Sequence, residues 1–143
     1  PEPAVVHLRR ILLHRPAGRP APAGHRAVAP AARARAAPPV SVVIPTRDRL
    51  HLLRPCLHGL RERTDYPDLQ IVLVDNGSEA ADTRAFYAEL AADPRVTILE
   101  RPGPFNYSAL TNAGVAAAGG EVLILLNNDT EVMPGAIDRL HGA

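Results

Sequence analysis

The sequence predicts an α/β fold built on a largely parallel sheet, and three observations carry that prediction. From Val40 onward, short apolar stretches of strand length alternate with longer stretches of helical periodicity. The short stretches are continuous apolar runs rather than alternating ones, the pattern of a strand covered on both faces. Each main run also stops abruptly at small polar residues. Val40-Ser41-Val42-Val43-Ile44 breaks at Pro45-Thr46-Arg47-Asp48, Gln70-Ile71-Val72-Leu73-Val74 at Asp75-Asn76-Gly77-Ser78, and Val122-Leu123-Ile124-Leu125-Leu126 at Asn127-Asn128-Asp129. Parallel sheets hold ligands just beyond the carboxyl ends of their strands, so this polar rim is the expected site.

The elements follow in order. After the first strand, Leu50, Leu53, Leu57 and Leu60 keep helical spacing and predict a helix from about Arg49 to Arg63. Cys56 lies beside that stripe and reads as a small core residue, while His51 and His58 lack a third metal ligand and read as solvated. Thr64-Asp65-Tyr66-Pro67 turns the chain into the second strand. Phe86 and Leu90 mark a second helix that Asp93-Pro94 ends, and Val96 to Leu99 is a short third strand. The loop Arg101-Pro102-Gly103-Pro104 leads to a third helix, capped by Asn106 or Ser108 and closed by Gly119-Gly120. The fourth strand follows, and Pro134 suits the first turn of a last helix.

Composition excludes several chemistries. All sixteen Lys-plus-Arg residues are Arg, so the phosphate-binding Lys of a P-loop and a Schiff-base Lys are both ruled out. The single Cys permits no internal disulfide and fits a reducing compartment. No apolar stretch approaches the roughly 18 residues that span a bilayer, no signal peptide is evident, and a soluble cytoplasmic chain is expected. Residues 1–40 hold seven Arg against one Glu, whereas residues 41–143 hold nine Arg against fourteen acids. The stretch 16–39, nearly all Ala, Pro, Arg and Gly, cannot offset its own ordering entropy and reads as a disordered linker. It lacks the aromatic interleaving of a nucleic-acid binder, so no nucleic-acid partner is expected.

The turn after the first strand contains no glycine, which argues against a dinucleotide-binding domain. A site for a nucleoside diphosphate with a metal matches better. Asp75 would accept from a base or ribose hydroxyl, and Asp129 offers a hard oxygen to Mg²⁺ or Mn²⁺. Asp75-Asn76-Gly77-Ser78 is also a good turn sequence, and Asn106 and Asn112 also suit caps or surface positions.

Four ordered segments carry a family resemblance: VSVVIPTRDR, YPDLQIVLVDNGS, PGPFNYSALTNAGVAAAGGEVLILLNND and TEVMPGAIDRL. Over Val40 to about Leu140 the chain resembles the nucleotide-binding half of a family 2 glycosyltransferase with the GT-A fold, of the bacterial surface-polysaccharide type. The resemblance implies an alternating β/α GT-A domain over residues 40–143, truncated at its C-terminus, that transfers a sugar from a nucleoside-diphosphate sugar to a saccharide or lipid-linked saccharide acceptor. It further implies that Pro45, Thr46 and Arg49 wrap the base and ribose, that Asp75 contacts the base, and that Asn76, Gly77 and Ser78 shape the turn. Asn106 and Asn112 would line the ribose and diphosphate side. Asn127, Asn128 and Asp129 occupy the family's Asp-x-Asp position, with Asp129 on a divalent metal and Asn127 standing where an Asp is common.

The general base of inverting members lies well after this motif, so it is expected beyond residue 143; Glu131 and Asp138 come too early. A piece lacking that base is expected to be inactive alone, and a noncatalytic nucleotide-sugar-binding module is the alternative reading. Residues 1–15 resemble the closing segment of an upstream domain in tandem members. Lipid-linked acceptors would place the protein peripherally at the inner face of the plasma membrane.

Overall fold

A computed structural model describes residues 37–141. The suggested upstream tail at 1–15 and all but the last residues of the suggested linker lie outside the described residues.

Four strands and four helices alternate: β1 (Val40–Thr46), α1 (Leu50–Glu62), β2 (Leu69–Asp75), α2 (Ala81–Leu90), β3 (Val96–Glu100), α3 (Tyr107–Ala117), β4 (Val122–Leu125) and α4 (Ala136–His141). The sheet is parallel throughout, in the order β3-β2-β1-β4. Thr46 aligns with Asp75, and Asp75 with Glu100, so the polar breaks read from the sequence do arrive at one rim.

Alternation along β1 and β2 sorts the core into two layers. Val40, Val42, Ile44, Ile71 and Leu73 face α1 and α2, packing on Leu53, Leu57, Leu60, Phe86 and Leu90. Val43, Val72 and Val74 face α3, packing on Leu110. The helix α3 approaches closely because of Gly114, where a Cβ would fall 2.3 Å from Val43 Cγ1. A methyl group there has no room without moving the helix off the sheet.

The expectation of two covered faces holds for β1 and β2 and fails for β4. Val122, Leu123 and Ile124 are only half-buried and Leu125 is 51% exposed. The reason is strand order: β4 pairs with β1 alone and forms the sheet's edge. The last helix starts two residues after the expected Pro134, which instead forms a turn with Gly135 at φ 68°.

Candidate functional site

Strand order locates the site. The chain runs outward from β1 through β2 to β3, then returns to place β4 on β1's other side. That reversal puts α1 and α2 on one face and α3 on the other, which opens a crevice beyond the carboxyl ends of β1 and β4. A cleft of about 270 Å³ occupies this position. Pro45, Thr46, Arg47 and Arg49 from the β1 loop form one wall and Asn127, Asn128 and Asp129 from the β4 loop another. Asn76 contributes from β2, with Phe105 and Tyr107 at the start of α3.

The β1 loop is bent by two consecutive left-handed residues, Asp48 at φ 49° and Arg49 at φ 50°. Asp48 holds the bend. Its amide donates to Ser78 Oγ at 2.7 Å, and its Oδ1 accepts from the amides of Glu79 and Ala80 at 3.0 Å each. The carboxylate thereby satisfies backbone amides entering α2, thirty residues away in sequence. Arg47 and Arg49 are held out into solvent by the same bend.

At the end of β2 the expected turn forms, with Gly77 at φ 80°. Asp75 is 5% exposed, and its Oδ2 accepts from the amides of Gly77 at 3.2 Å and Ser78 at 2.9 Å. Its Oδ1 accepts from Tyr87 Oη at 2.9 Å and from Ser78 Oγ. Burial pushes the Tyr87 phenol well above its ordinary value, so it stays a donor. Asn76 donates to the carbonyls of Arg101 at 2.8 Å and Gly103 at 3.2 Å, tying the β3–α3 loop to the rim. Asp75, Gly77 and Ser78 line a second cleft of about 310 Å³ on the β2–β3 side, with Arg84, Tyr87, Glu100 and Pro102.

In the β4 loop, Asn128 spends its amide on Thr46 Oγ1 at 3.0 Å, which locks the loop to β1. From below, the Cys56 thiol reaches the Asn127 carbonyl at 3.8 Å. Burial, with Asp129 adding to it, pushes that thiol up to about 11, so Cys56 is an inert core residue as expected. Among the described residues, no hydrogen bond or ion pair engages the side chains of Arg47, Arg49, Asn127 or Asp129. Asp129 is a hard oxygen donor open to the cleft. No group of three or more His, Cys, Asp or Glu able to hold a metal occurs among the described residues. One carboxylate still fits Mg²⁺ or Mn²⁺, which take one or two carboxylates and complete their shells with substrate phosphates and water.

The remaining expected residues are placed as follows. Asn106 caps α3, its Oδ1 accepting from the Ala109 amide at 3.0 Å. Asn112 is exposed on α3 and lines neither cleft. Glu131 pairs with Arg63 at 3.0 Å on the surface, and His51 and His58 are exposed on α1. Sequence reasoning missed Asp48, Arg47, Tyr87, Phe105 and Tyr107. The only available signal was that two of the chain's five aromatic residues flank the Asn106 cap.

The model of the family described as "Glycosyl transferase family 2" matches residues 41–142. The chain is 43% identical over 115 residues to the protein y4gI of Sinorhizobium fredii, a match covering 80% of this chain and 12% of that protein. It is 40% identical over 122 residues to the O-antigen biosynthesis protein RfbC of Myxococcus xanthus, covering 85% of this chain and 9% of that protein. Among solved structures, the mannosyltransferase PcManGT of Pyrobaculum calidifontis, in complex with GDP-Man and Mn²⁺, superposes with a TM-score of 0.61 at 23% identity. That match covers 73% of this chain and 31% of PcManGT and establishes the fold, an alternating β/α GT-A arrangement. The chain thus spans about a tenth of the length of these two curated relatives. With the family model matched from the first strand to the last helix and the polar breaks gathered at the sheet's switch point, the chain belongs to glycosyl transferase family 2.

Proposed function

We propose that residues 40–143 form the donor-binding half of an inverting glycosyltransferase, holding a nucleoside-diphosphate sugar with Mg²⁺ or Mn²⁺ in the β1–β4 crevice. One observation carries this reading: the open Asp129 carboxylate and the unpartnered Arg47 and Arg49 line one cleft at the switch point. Opposite charges that line a cleft without neutralising each other suit a ligand that brings both signs, a diphosphate with its cation. Bound there, the metal would act as a Lewis acid on charge developing at the leaving diphosphate. The GDP-Man and Mn²⁺ of PcManGT support this choice of ligands.

Within the chain, Arg47 and Arg49 draw in the diphosphate, Thr46 and Asn128 hold the two loops in register, and Asp75 sets the turn beside the base. Asn127 presents an amide where a second carboxylate would add charge; it keeps a carbonyl donor for the metal or sugar. The general base that deprotonates the acceptor hydroxyl belongs to sequence beyond residue 143. The acceptor is a saccharide or lipid-linked saccharide, consistent with the O-antigen role in the name of RfbC, and the reaction takes place at the cytoplasmic face of a membrane.

Calorimetric titration of UDP, GDP and dTDP into the chain, with and without Mn²⁺, tests the reading. One nucleotide is expected to bind only with the metal. Asp129→Ala should abolish that binding while changing folding stability by less than about 0.5 kcal/mol, because the side chain is exposed and unpaired. Metal-independent binding, or binding retained by the folded variant, would refute the assignment of Asp129.

A further inference from the structure

Resting on that donor-site reading, we propose that Phe105 is the stacking platform for the donor's nucleobase, with the buried Asn76 carbonyl as the acceptor for a base or ribose donor beneath it. The chain holds five aromatic residues, and three are committed inside the fold. Phe86 is buried with the Arg54 guanidinium 4.3 Å from its ring centroid. Tyr66 donates to the Pro38 carbonyl, and Tyr87 to Asp75. Phe105 is 71% exposed and nevertheless lines the switch-point cleft.

The backbone that presents it is pinned on both sides. Upstream, Asn76 holds the carbonyls of Arg101 and Gly103; downstream, Asn106 closes the first turn of α3 on the Ala109 amide. A residue fixed by its neighbours but left uncovered offers its ring face to a ligand at little ordering cost. A phenyl ring has no polar atom, so the matching ligand surface is flat and apolar.

Asn76 supplies the second, independent observation. It is 2% exposed and lines the same cleft, and its Oδ1 is buried without a hydrogen-bond partner. Its amide orientation is not open to inversion, because carbonyls only accept and the NH₂ group must face both of them. The orphan oxygen therefore awaits an N–H or O–H. Buried acceptors are seldom left unsatisfied, and those that are call for an unmodelled donor. A nucleobase supplies both complements, a π face for Phe105 and an edge N–H for Asn76, while its diphosphate extends toward Arg47, Arg49 and Asp129.

The test uses the 143-residue chain with Mn²⁺ and three probes: UDP, GDP and inorganic pyrophosphate. Phe105→Ala should weaken the nucleotide that binds by about tenfold and leave pyrophosphate unchanged. The chain contains no Trp, so Phe105→Trp installs a single indole reporter. Its emission should be quenched by the nucleotide and not by pyrophosphate, with affinity retained. Equal weakening of nucleotide and pyrophosphate would mean that Phe105 only supports the loop. Unchanged nucleotide affinity in the Ala variant, with weakened binding of the corresponding nucleotide-sugar, would assign the ring to the sugar. Either result overturns the proposal and leaves the donor site standing. A wild-type chain that binds pyrophosphate but no nucleotide would remove the nucleobase reading altogether.

Discussion

The two ends of the sheet treat their polar groups in opposite ways. At the amino-terminal edge nearly every charge is closed on a partner. Asp93 accepts from Arg61 at 2.7 Å and from two nitrogens of Arg95 at 2.9 and 3.1 Å, and Arg95 in turn donates to the Arg61 carbonyl. Ser41 donates to Gln70 at 2.7 Å and accepts from Gly120 at 2.9 Å. At the carboxyl edge, Asp48, Asp75, Asn76, Ser78 and Asn128 are engaged in holding loops, whereas Arg47, Arg49, Asn127 and Asp129 are left open. One edge spends its charges on folding; the other holds them in reserve for a ligand. Substitutions at the two edges should therefore separate stability from binding.

The largest effect is expected at Asp93. Its side chain is 7% exposed, and hydrogen bonding from Arg95 holds its carboxyl well below the usual range against the opposing effect of burial. Asp93→Ala should cost about 3 kcal/mol at pH 7, since it leaves two guanidinium groups without their shared acceptor. A group with a depressed folded pKa stabilises above its unfolded value and loses that contribution as pH falls through the folded one. The gap between wild type and variant, measured by urea unfolding, should hold above roughly pH 4 and narrow below it. Nucleotide affinity of the folded variant should not change; a weakened affinity would break the division between the edges.

A smaller loss is expected at Asp48, which belongs to the binding edge but does structural work there. Asp48→Ala removes the acceptor for two α2 amides and should cost about 2 kcal/mol, with weaker nucleotide binding because Arg47 and Arg49 lose their fixed bend. Asp48→Asn should restore most of both quantities, since Asn keeps an acceptor oxygen and tolerates left-handed backbone. Stability recovered without binding, as read by paired unfolding and calorimetric curves, would show that the carboxylate charge itself matters to the site.

How far the sequence shows this in advance depends on range. Apolar runs and helical spacing are local, and they were sufficient for every element and for the rim of polar breaks. The cap at Asn106 was legible because its partner lies three residues away. Asp48 was not, because it caps a helix thirty residues downstream, and no local pattern encodes that pairing. The half-covered β4 was misjudged for a related reason. Its run matches those of β1 and β2, but whether a strand lies centrally or at an edge follows from strand order, which composition does not contain. Asp75 was readable both as a turn residue and as a site residue, and the structure shows the turn in full.

The smallest expected change in stability, opposite in sign to the others, falls at Arg49. Its backbone sits at φ 50° and ψ 47° directly before α1, in the left-handed region that costs a non-glycine residue about 1–2 kcal/mol. Its side chain makes no contact that would offset this. Arg49→Gly should therefore stabilise the fold, by about 0.5–1 kcal/mol once glycine's larger unfolded-state entropy is subtracted. The same change should weaken metal-dependent nucleotide binding by removing a cation from the cleft. Arg49→Ala separates the two consequences, because it removes the charge and keeps the strain: binding should fall as in the glycine variant while stability stays near wild type. Equal stability of the Gly and Ala variants would mean that the bend costs nothing. Undiminished binding in both would remove Arg49 from the site and leave Arg47 as the cation facing Asp129. The expected pattern, a more stable protein that binds its ligand less well, is the signature of backbone strain retained to aim a side chain at a ligand.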